Sequence, residues 1–252
     1  MSVHTILQAF DVILLDVNAT FMFGQDRFGS DQDYAATYRA FGGEDLSDDR
    51  VHELVSLCVE RMTSIGHEPT RYTDFPSVGD TLKTVADPTT MDPIEHNRLI
   101  QVIAAHEVGE VPQTHASALH ELAESHRLGI VSNIWSEKTP WHRAFEAAGI
   151  NKLFEVFIWS SDRRAIKPAP EIFNCAIAAI GAPQEHIVFV GDHPKRDIEG
   201  AKEVGLAAIW VDDGSHKPPD VEPDLVVGSL IELASTGQSD SVQVLSNFVT
   251  GR

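Results

Sequence analysis

The sequence predicts an α/β protein with a Rossmann-like parallel sheet, helices on both faces of that sheet, and an inserted all-helical domain. Three observations support this class. After Pro112, short apolar runs rich in Val, Ile and Leu alternate with amphipathic helical stretches. A similar apolar run, FDVILLD, stands at residues 10–16. Between these regions, from about residue 31 to residue 108, the apolar periodicity is helical. Apolar runs of this kind are typical of strands buried on both faces, and their alternation with helices indicates right-handed βαβ units.

The position of the helical stretch predicts two unequal domains. At roughly 150 residues per domain, 252 residues allow one large domain or two unequal ones. Because the helical stretch follows the first predicted strand and precedes the others, we expect residues 24–111 to be inserted in a core formed by residues 1–23 and 112–252. With 42% hydrophobic and 23% charged residues, the chain has enough apolar material for packed cores.

The inserted stretch contains three expected helices. The longest has apolar residues from Val51 to Ile65 at the spacing of one helical face. Ser47 is its expected N-cap, and Gly66 is expected to lie just beyond its C-terminus. The other two helices are expected at residues 34–41 and 94–106.

The core region is expected to alternate strands and helices. Gly149, Gly181 and Gly205 are the expected ends of three helices. Two last apolar segments, 225–227 and 230–233, are expected to complete the sheet or its edge. The other predicted strands are residues 10–16, 129–132, 154–160, 187–190 and 207–211, and the predicted helices include residues 119–123, 141–148, 172–180 and 197–204.

The charge and the cysteines limit the partner class and the compartment. With 19 Lys and Arg against 38 Asp and Glu, the formal net charge is −19. Such a field repels phosphate backbones and anionic membranes, so we expect neither a nucleic-acid nor a membrane partner. We find no stretch of transmembrane length and expect no secretory signal. Cys58 and Cys175 form no C-x-x-C pair, which argues against a disulfide scaffold or a cysteine zinc site and favours a cytoplasmic protein.

Polar residues follow several of the predicted strands, and ligands of open parallel sheets gather at the carboxyl ends of the strands. Asp16 ends the first strand, where a carboxylate can be a nucleophile, a metal ligand or simply a turn residue. Ser132 and Asn133 follow a later strand and can hold an anionic oxygen or cap a helix.

Two further clusters lie downstream in the sequence. Lys167 precedes the helix expected to start near Pro170, and a lone lysine is ordinarily a solvated surface charge. Asp192 and Asp197 belong to the segment GDHPKRD, which follows a predicted strand. Their spacing allows both to face one cation, although Asp197 alone would also suit the N-cap of the next helix.

Taken in order, these clusters resemble the motifs of the haloacid dehalogenase-like hydrolase superfamily, in its subclass with a helical cap. The resemblance covers about residues 10–235 and is densest over residues 167–211. It implies a Rossmann-like core and identifies the stretch 24–111 with a small helical cap. Such a cap closes over the site, excludes water and selects a small soluble substrate.

The resemblance also implies roles in phosphoryl transfer. Asp16 matches the nucleophile that forms an aspartyl-phosphate. Ser132, with backbone amides near Asn133, matches the phosphate-holding motif. Lys167 matches the lysine that balances charge on the nucleophile and on the phosphoryl oxygens.

The implied cofactor is Mg²⁺. Asp16, the main-chain carbonyl of Asn18 and Asp192 match its ligands, and Asp197 matches the acid that supports this metal site. A phosphoryl dianion beside Asp16 and Asp192 requires this cation and a lysine for charge neutralisation.

Position 18 departs from the family pattern, in which a second Asp protonates the leaving group and later activates water. Asn18 still offers its carbonyl, but its carboxamide cannot carry a proton. General acid–base catalysis contributes about 10²–10⁴-fold, so hydrolysis of ordinary phosphate esters is expected to slow by about that factor unless another group substitutes.

Three functions therefore fit the sequence. We favour a Mg²⁺-dependent phosphatase or phosphotransferase that acts on a small phosphorylated metabolite with an altered proton transfer. A 2-haloacid dehalogenase also lacks the second acid, but that branch usually carries Ser- or Asn-type residues where Asp192 and Asp197 stand here. A non-catalytic module that binds a phosphorylated ligand is the third possibility.

Overall fold

The computed structural model of the chain describes residues 6–86 and 92–235. Its core is one six-stranded parallel sheet, which confirms the predicted fold class. The predicted core extends to residue 252, and its residues 236–252 lie outside the described residues. The strands are β1 (Val12–Leu15), β2 (Arg127–Ser132), β3 (Phe154–Trp159), β4 (Ile187–Gly191), β5 (Ala207–Val211) and β6 (Leu225–Val227). Their order across the sheet is β3-β2-β1-β4-β5-β6.

The helices agree with the expected pattern except at a few points. Residues 78–85 form a helix that the sequence did not predict. The segment 230–233, expected to complete the sheet or its edge, is helical. Within the described residues, no helix combines the length and apolar character needed to cross a membrane. The helices are α1 (Tyr34–Ala40), α2 (Asp48–Gly66), α3 (Val78–Val85), α4 (Pro93–Glu107), α5 (Gln113–Ala123), α6 (Thr139–Ala147), α7 (Ser160–Arg163), α8 (Pro170–Ile180), α9 (Gly200–Glu203) and α10 (Leu230–Ser235).

The structure confirms the predicted start of α2 and corrects its predicted end. The Ser47 side chain accepts the backbone N–H of Arg50 and caps the helix as predicted. Gly66, expected just beyond the helix, is instead its last residue, and His67 is the C-cap. His67 keeps a right-handed backbone, so this helix end needs no glycine in the left-handed region.

Alternate residues of β1 supply two separate apolar cores, one on each face of the sheet. Ile13 and Leu15 pack in the core beneath α5 and α6, whereas Val12 and Leu14 pack in the core beneath α8. All four side chains are fully buried. Successive side chains of a strand point to opposite faces, so a strand covered on both sides must be apolar throughout.

The helices between β1 and β2 form an apolar core of their own. Leu54 and Val55 of α2 are buried in one cluster with Tyr38 of α1 and with Leu99 and Ile103 of α4. The limits of the inserted domain, residues 24 and 111, remain a prediction. We call residues 24–111 the helical block.

The two chain crossings between the core and the helical block lie side by side. Phe23 and Glu110 exchange backbone hydrogen bonds of 2.9 and 2.8 Å as an antiparallel bridge. A Cβ atom on Gly109 would lie 2.5 Å from the carbonyl oxygen of Phe23, so this close approach requires glycine. The Arg27 guanidinium donates to the carbonyl oxygens of Gly24, Val108 and Ala105 and so joins both crossings.

Candidate active site

The sheet order brings three of the predicted residues to one place. β1 lies between β2 and β4, and Asp16, Ser132 and Asp192 stand at the carboxyl ends of these three strands. The Asp16 backbone N–H donates to the carbonyl oxygen of Val190 at 2.9 Å, which continues the pairing of β1 with β4. The topology alone therefore juxtaposes residues that are far apart in the sequence.

The Lys167 ammonium lies between two carboxylates. Its Nζ atom is 2.5 Å from Asp16 Oδ1 and 2.6 Å from Asp197 Oδ1, and its side chain is 2% exposed. Ser132 Oγ also donates to Asp16 Oδ1, at 3.1 Å. Asp16 Oδ2 has no hydrogen-bond partner among the described residues, so this oxygen stays available to attack or to bind a cation.

Asn133 holds the segment that carries Lys167. Its Oδ1 accepts the Lys167 backbone N–H at 2.8 Å, and its Nδ2 donates to the Lys167 carbonyl oxygen at 3.1 Å. This reciprocal pair fixes the backbone from which the lysine extends. The side chain of Asn133 thus holds the backbone of Lys167, whereas the sequence predicted phosphate binding at this position.

Asp197 lies inside the turn of helix after β4 rather than at its start. The wide helical turn Pro194–Glu199 precedes α9, and His193 is its N-cap. Asp197 Oδ2 accepts the backbone N–H of His193 at 2.9 Å. The helix expected at residues 197–204 therefore begins earlier, and the N-cap alternative for Asp197 is wrong. A Cβ atom on Gly191 would lie 2.6 Å from the Asp197 side chain, so this packing requires glycine.

Three carboxylates converge beside this lysine. Oxygen atoms of Asp16, Asp192 and Asp197 lie within 4.8 Å of one another, and all three residues are buried. Asn18 lines the same site, and its buried Oδ1 has no hydrogen-bond partner in the described part of the chain. Oxygen donors of this kind suit a hard divalent cation.

Burial dominates the electrostatics of the cluster. Burial would lower the pKa of Lys167, but the Asp16 and Asp197 carboxylates outweigh it and hold that pKa above its ordinary value. Burial, together with the neighbouring Asp197 and Asp16 carboxylates, raises the pKa of Asp192 to about 8. Burial also raises the pKa of Asp16, against the opposing charge of Lys167. One lysine therefore does not neutralise three buried acids, and a further cation fits the remaining charge.

A cavity of about 340 Å³ opens over this cluster. Thr63, His67 and Phe75 of the helical block line it together with Trp135 and Ile166 of the core. Its size suits a small molecule. Because the block supplies part of the wall, the block side chains are placed to select what enters.

Glu107 links the helical block to the loop after β2. It is the last residue of α4, and its carboxylate accepts the backbone N–H groups of Trp135 at 2.5 Å and Ser136 at 2.9 Å. Burial raises the pKa of Glu107 to about 7. The same loop begins at Ser132, which contacts Asp16.

Sequence reasoning missed several groups that line the cavity. Asp26, Glu107, Arg196 and His216 all contribute to its wall. Asp26 and Glu107 belong to the chain crossings and stand next to no predicted strand end. We find no signal in the sequence that would have identified these two, whereas Arg196 and His216 lie near the GDHPKRD segment.

The site and the fold together define a class: an α/β protein with a buried lysine and three clustered carboxylates at the ends of parallel strands. Comparison with known proteins agrees with this class. A family model described as HAD-hydrolase-like matches residues 165–233. A phosphoserine phosphatase from Thermus thermophilus is 34% identical over 115 residues, which cover 44% of this chain and 46% of the relative. The chain spans about half the length of curated relatives such as this one.

Solved structures share the whole fold at low identity. A HAD phosphatase from Thermococcus onnurineus has a TM-score of 0.60 and 23% identity, and the match covers 91% of this chain and 98% of that one. A 2-haloacid dehalogenase from Pseudomonas syringae has a TM-score of 0.63 and 19% identity, with 95% and 100% of the chains covered. Residues 165–233 thus match the HAD-hydrolase-like family model, and the fold of the chain is similar to that of these solved structures.

Proposed function

We propose that this protein is a Mg²⁺-dependent phosphohydrolase that acts on a small phosphorylated metabolite through an aspartyl-phosphate at Asp16. The proposal rests mainly on the position of Lys167. Its ammonium pairs with Asp16 Oδ1 and leaves Oδ2 without a partner among the described residues. The phosphatases among the relatives support the same chemistry, including those for phosphoserine, glyceraldehyde 3-phosphate and N-acylneuraminate 9-phosphate.

In this proposal Asp16 Oδ2 forms a bond to phosphorus while the bond between phosphorus and the substrate oxygen breaks, and the electron pair stays on that oxygen. Lys167 holds Asp16 in place and, with the Ser132 hydroxyl, offsets the charge that gathers on the phosphoryl oxygens. Water then attacks the aspartyl-phosphate, and the released electron pair restores the Asp16 carboxylate. Phosphoryl transfer depends mainly on such positioning and charge neutralisation.

The residues present fit a magnesium ion. Asp16, Asp192 and the carbonyl of Asn18 would hold it, with Asp197 in support, and the excess of buried carboxylates supplies the charge that it needs. When bound, Mg²⁺ neutralises the phosphoryl oxygens and lets the dianion approach Asp16. Asp197 meanwhile keeps Lys167 charged and the backbone of His193 in place.

A panel of phosphorylated metabolites, including phosphoserine, glycerol phosphate and sugar phosphates, tests the proposal. We expect phosphate release with Mg²⁺ and none with EDTA. Asp16→Asn should abolish release while its circular dichroism and melting temperature stay close to the wild-type values. Ser161→Ala is a matched control, because Ser161 lies near the site in sequence but outside the cavity wall.

The same experiment addresses the two alternatives. Release of halide from 2-haloacids in EDTA would identify a dehalogenase. Binding of phosphorylated ligands without turnover would identify a binding module. Either outcome, or phosphate release by Asp16→Asn at the wild-type rate, contradicts the proposal.

A further inference from the structure

The proposed reaction needs a proton donor that position 18 does not supply. When phosphorus moves to Asp16, an alkoxide leaves, and an alkoxide is a poor leaving group unless it is protonated as it departs. Asn18 lies in the cavity wall but has no acidic proton to give. The donor must therefore be another titratable group that reaches the cavity. The titratable groups in its wall are Asp16, Asp26, His67, Glu107, Lys167, Asp192, Arg196, Asp197 and His216.

The titratable side chains at the strand ends already have other roles in the proposed reaction. Asp16 is the nucleophile, and Lys167 is shared by Asp16 and Asp197. Asp192 belongs to the cation site, and the His216 ring nitrogen lies 3.8 Å from its carboxylate, so His216 sits at the cation end of the cavity. None of these groups is free to serve the leaving oxygen.

Glu107 and Arg196 are also unsuitable. Both carboxylate oxygens of Glu107 accept backbone N–H groups, from Trp135 and Ser136, so this carboxyl group is committed to the loop after β2. Arginine does not deprotonate in proteins. Asp26 and His67 are therefore the two candidates that remain.

The structure holds Asp26 in an unusual backbone conformation over the cavity. Its φ of 52° lies in the left-handed region, which Asp and Asn enter more readily than other residues except glycine. Its backbone N–H donates to the Glu107 carbonyl oxygen at 3.0 Å, which fixes Asp26 against the opposite chain crossing. Its carboxylate has no hydrogen bond or ion pair among the residues that the structure describes. Asp26 thus stands in the cavity wall with a carboxyl group that is uncommitted among the described residues.

The electrostatic surroundings of Asp26 favour the same role. Asp26 is exposed to solvent, but the protein atoms near it still desolvate its carboxyl group and raise its pKa to about 6. Arg196 opposes the shift, Asp16 adds to it, and the adjacent Arg27 opposes it weakly. A group that titrates near neutral pH can both donate and accept a proton.

We propose that Asp26 is the general acid and base of this reaction and replaces the carboxyl group that position 18 lacks. This inference rests on the proposed function. In the first step the protonated Asp26 gives its proton to the leaving oxygen as the bond to phosphorus breaks, so an alcohol departs and Asp26 becomes a carboxylate. In the second step that carboxylate takes a proton from the attacking water, whose oxygen bonds to phosphorus as the bond to Asp16 breaks. Asp26 is protonated again, and phosphate leaves.

Single-turnover measurements with Asp26→Asn test this role. Asparagine tolerates the left-handed backbone, so the variant should fold. Two esters are compared with excess enzyme and Mg²⁺: 4-nitrophenyl phosphate, whose leaving group needs no proton, and the alkyl phosphate of the panel that the wild type hydrolyses fastest. We expect alcohol release from the alkyl ester to slow by about 10²–10⁴-fold and nitrophenolate release to slow by less than about tenfold. Asp31→Asn, an exposed acid of the same segment, should leave both rates unchanged.

Two more variants complete the test. Introducing Asn18→Asp into Asp26→Asn should restore alcohol release, because it returns a carboxyl group to the site. The proposal is overturned if Asp26→Asn slows both esters equally or neither, or if His67→Gln shows the leaving-group selectivity instead. A wild-type protein that releases no phosphate from any ester overturns the proposed function as well, whereas an active wild type with an unaffected Asp26→Asn overturns the role of Asp26 alone.

Discussion

Glu107 and Ser136 are joined by a hydrogen bond of 2.9 Å that links the last residue of α4 to the loop after β2. The other carboxylate oxygen of Glu107 accepts the backbone N–H of Trp135. A buried carboxylate thus holds together the end of the helical block and the loop that begins at Ser132. Any movement of the block about its chain crossings is therefore coupled to the loop beside Asp16.

Glu107→Gln should change how stability depends on pH. The folded-state pKa of Glu107 is about 7, above its ordinary 4.5, so the folded protein holds this proton more tightly than the unfolded chain does. The resulting stabilisation is fully present below pH 4.5 and is lost as the pH rises through 7, with an upper limit of about 3 kcal/mol. Glutamine does not titrate, so the variant should lose this pH dependence.

Urea denaturation between pH 4.5 and pH 8, in EDTA, measures the effect. We expect the variant to be less stable than the wild type at low pH, with a gap in unfolding free energy that narrows as the pH rises. Glu110→Gln changes an exposed neighbour and should give a constant difference. A gap that widens with pH contradicts the prediction.

Much of the core could be predicted because its strands are buried on both faces. Val12–Leu15 and Ile187–Gly191 are almost continuous apolar runs, as is typical of strands in a parallel sheet. The polar residues that follow them then locate the cluster without knowledge of any contact. By contrast, α3 has only eight residues and lies beside a turn-rich segment, so its sequence offers few repeats of the helical period. The segment 230–233 was misassigned because a short apolar run fits either a strand or a helix.

Asp26 and Glu107 could not be found in this way. Each reaches the cavity because two chain crossings, 81 residues apart in sequence, lie side by side: Asp26 N–H donates to the Glu107 carbonyl oxygen. Neither residue follows a strand or belongs to a motif. Their placement is a property of tertiary packing between the helical block and the core, which local sequence patterns do not encode.

Arg27→Lys should weaken the connection between the crossings. The guanidinium donates at 2.6 Å to Gly24, at 2.8 Å to Val108 and at 2.6 Å to Ala105, all through carbonyl oxygens. Lysine keeps the charge but loses the planar fork that reaches several acceptors. We expect a loss of about 1–2 kcal/mol in unfolding free energy, measured by urea denaturation. Arg50→Lys, in an exposed pair with Glu53, should change it by less than about 0.5 kcal/mol, and equal losses would contradict the argument.

Lys167→Met should both destabilise the protein and stop turnover. The substitution keeps the length of the buried side chain but leaves Asp16 and Asp197 without their shared cation. Removing one partner of a buried ion pair costs about 3–5 kcal/mol, and the remaining carboxylates are expected to take up protons. Melting curves and phosphate release measure the two effects. Lys138→Met breaks a surface pair with Asp162 and should cost less than about 1 kcal/mol, so similar losses in both variants would contradict the larger cost expected for the buried Lys167.

Asp192→Asn should separate the destabilisation that the carboxylate cluster causes in the fold from its part in binding Mg²⁺. The folded-state pKa of Asp192 is about 8, above its ordinary 3.8, so without metal its ionised form destabilises the fold as the pH rises through 8. In EDTA at pH 8 to 9 the variant should therefore melt at a higher temperature than the wild type. Mg²⁺ should narrow this difference, because a ligand at 100 times its dissociation constant stabilises the wild type by about 2.7 kcal/mol and the variant has lost an anionic ligand. Asp220→Asn, at an exposed position, is the matched control. If Mg²⁺ raised the melting temperature of Asp192→Asn as much as that of the wild type, the cation would bind elsewhere.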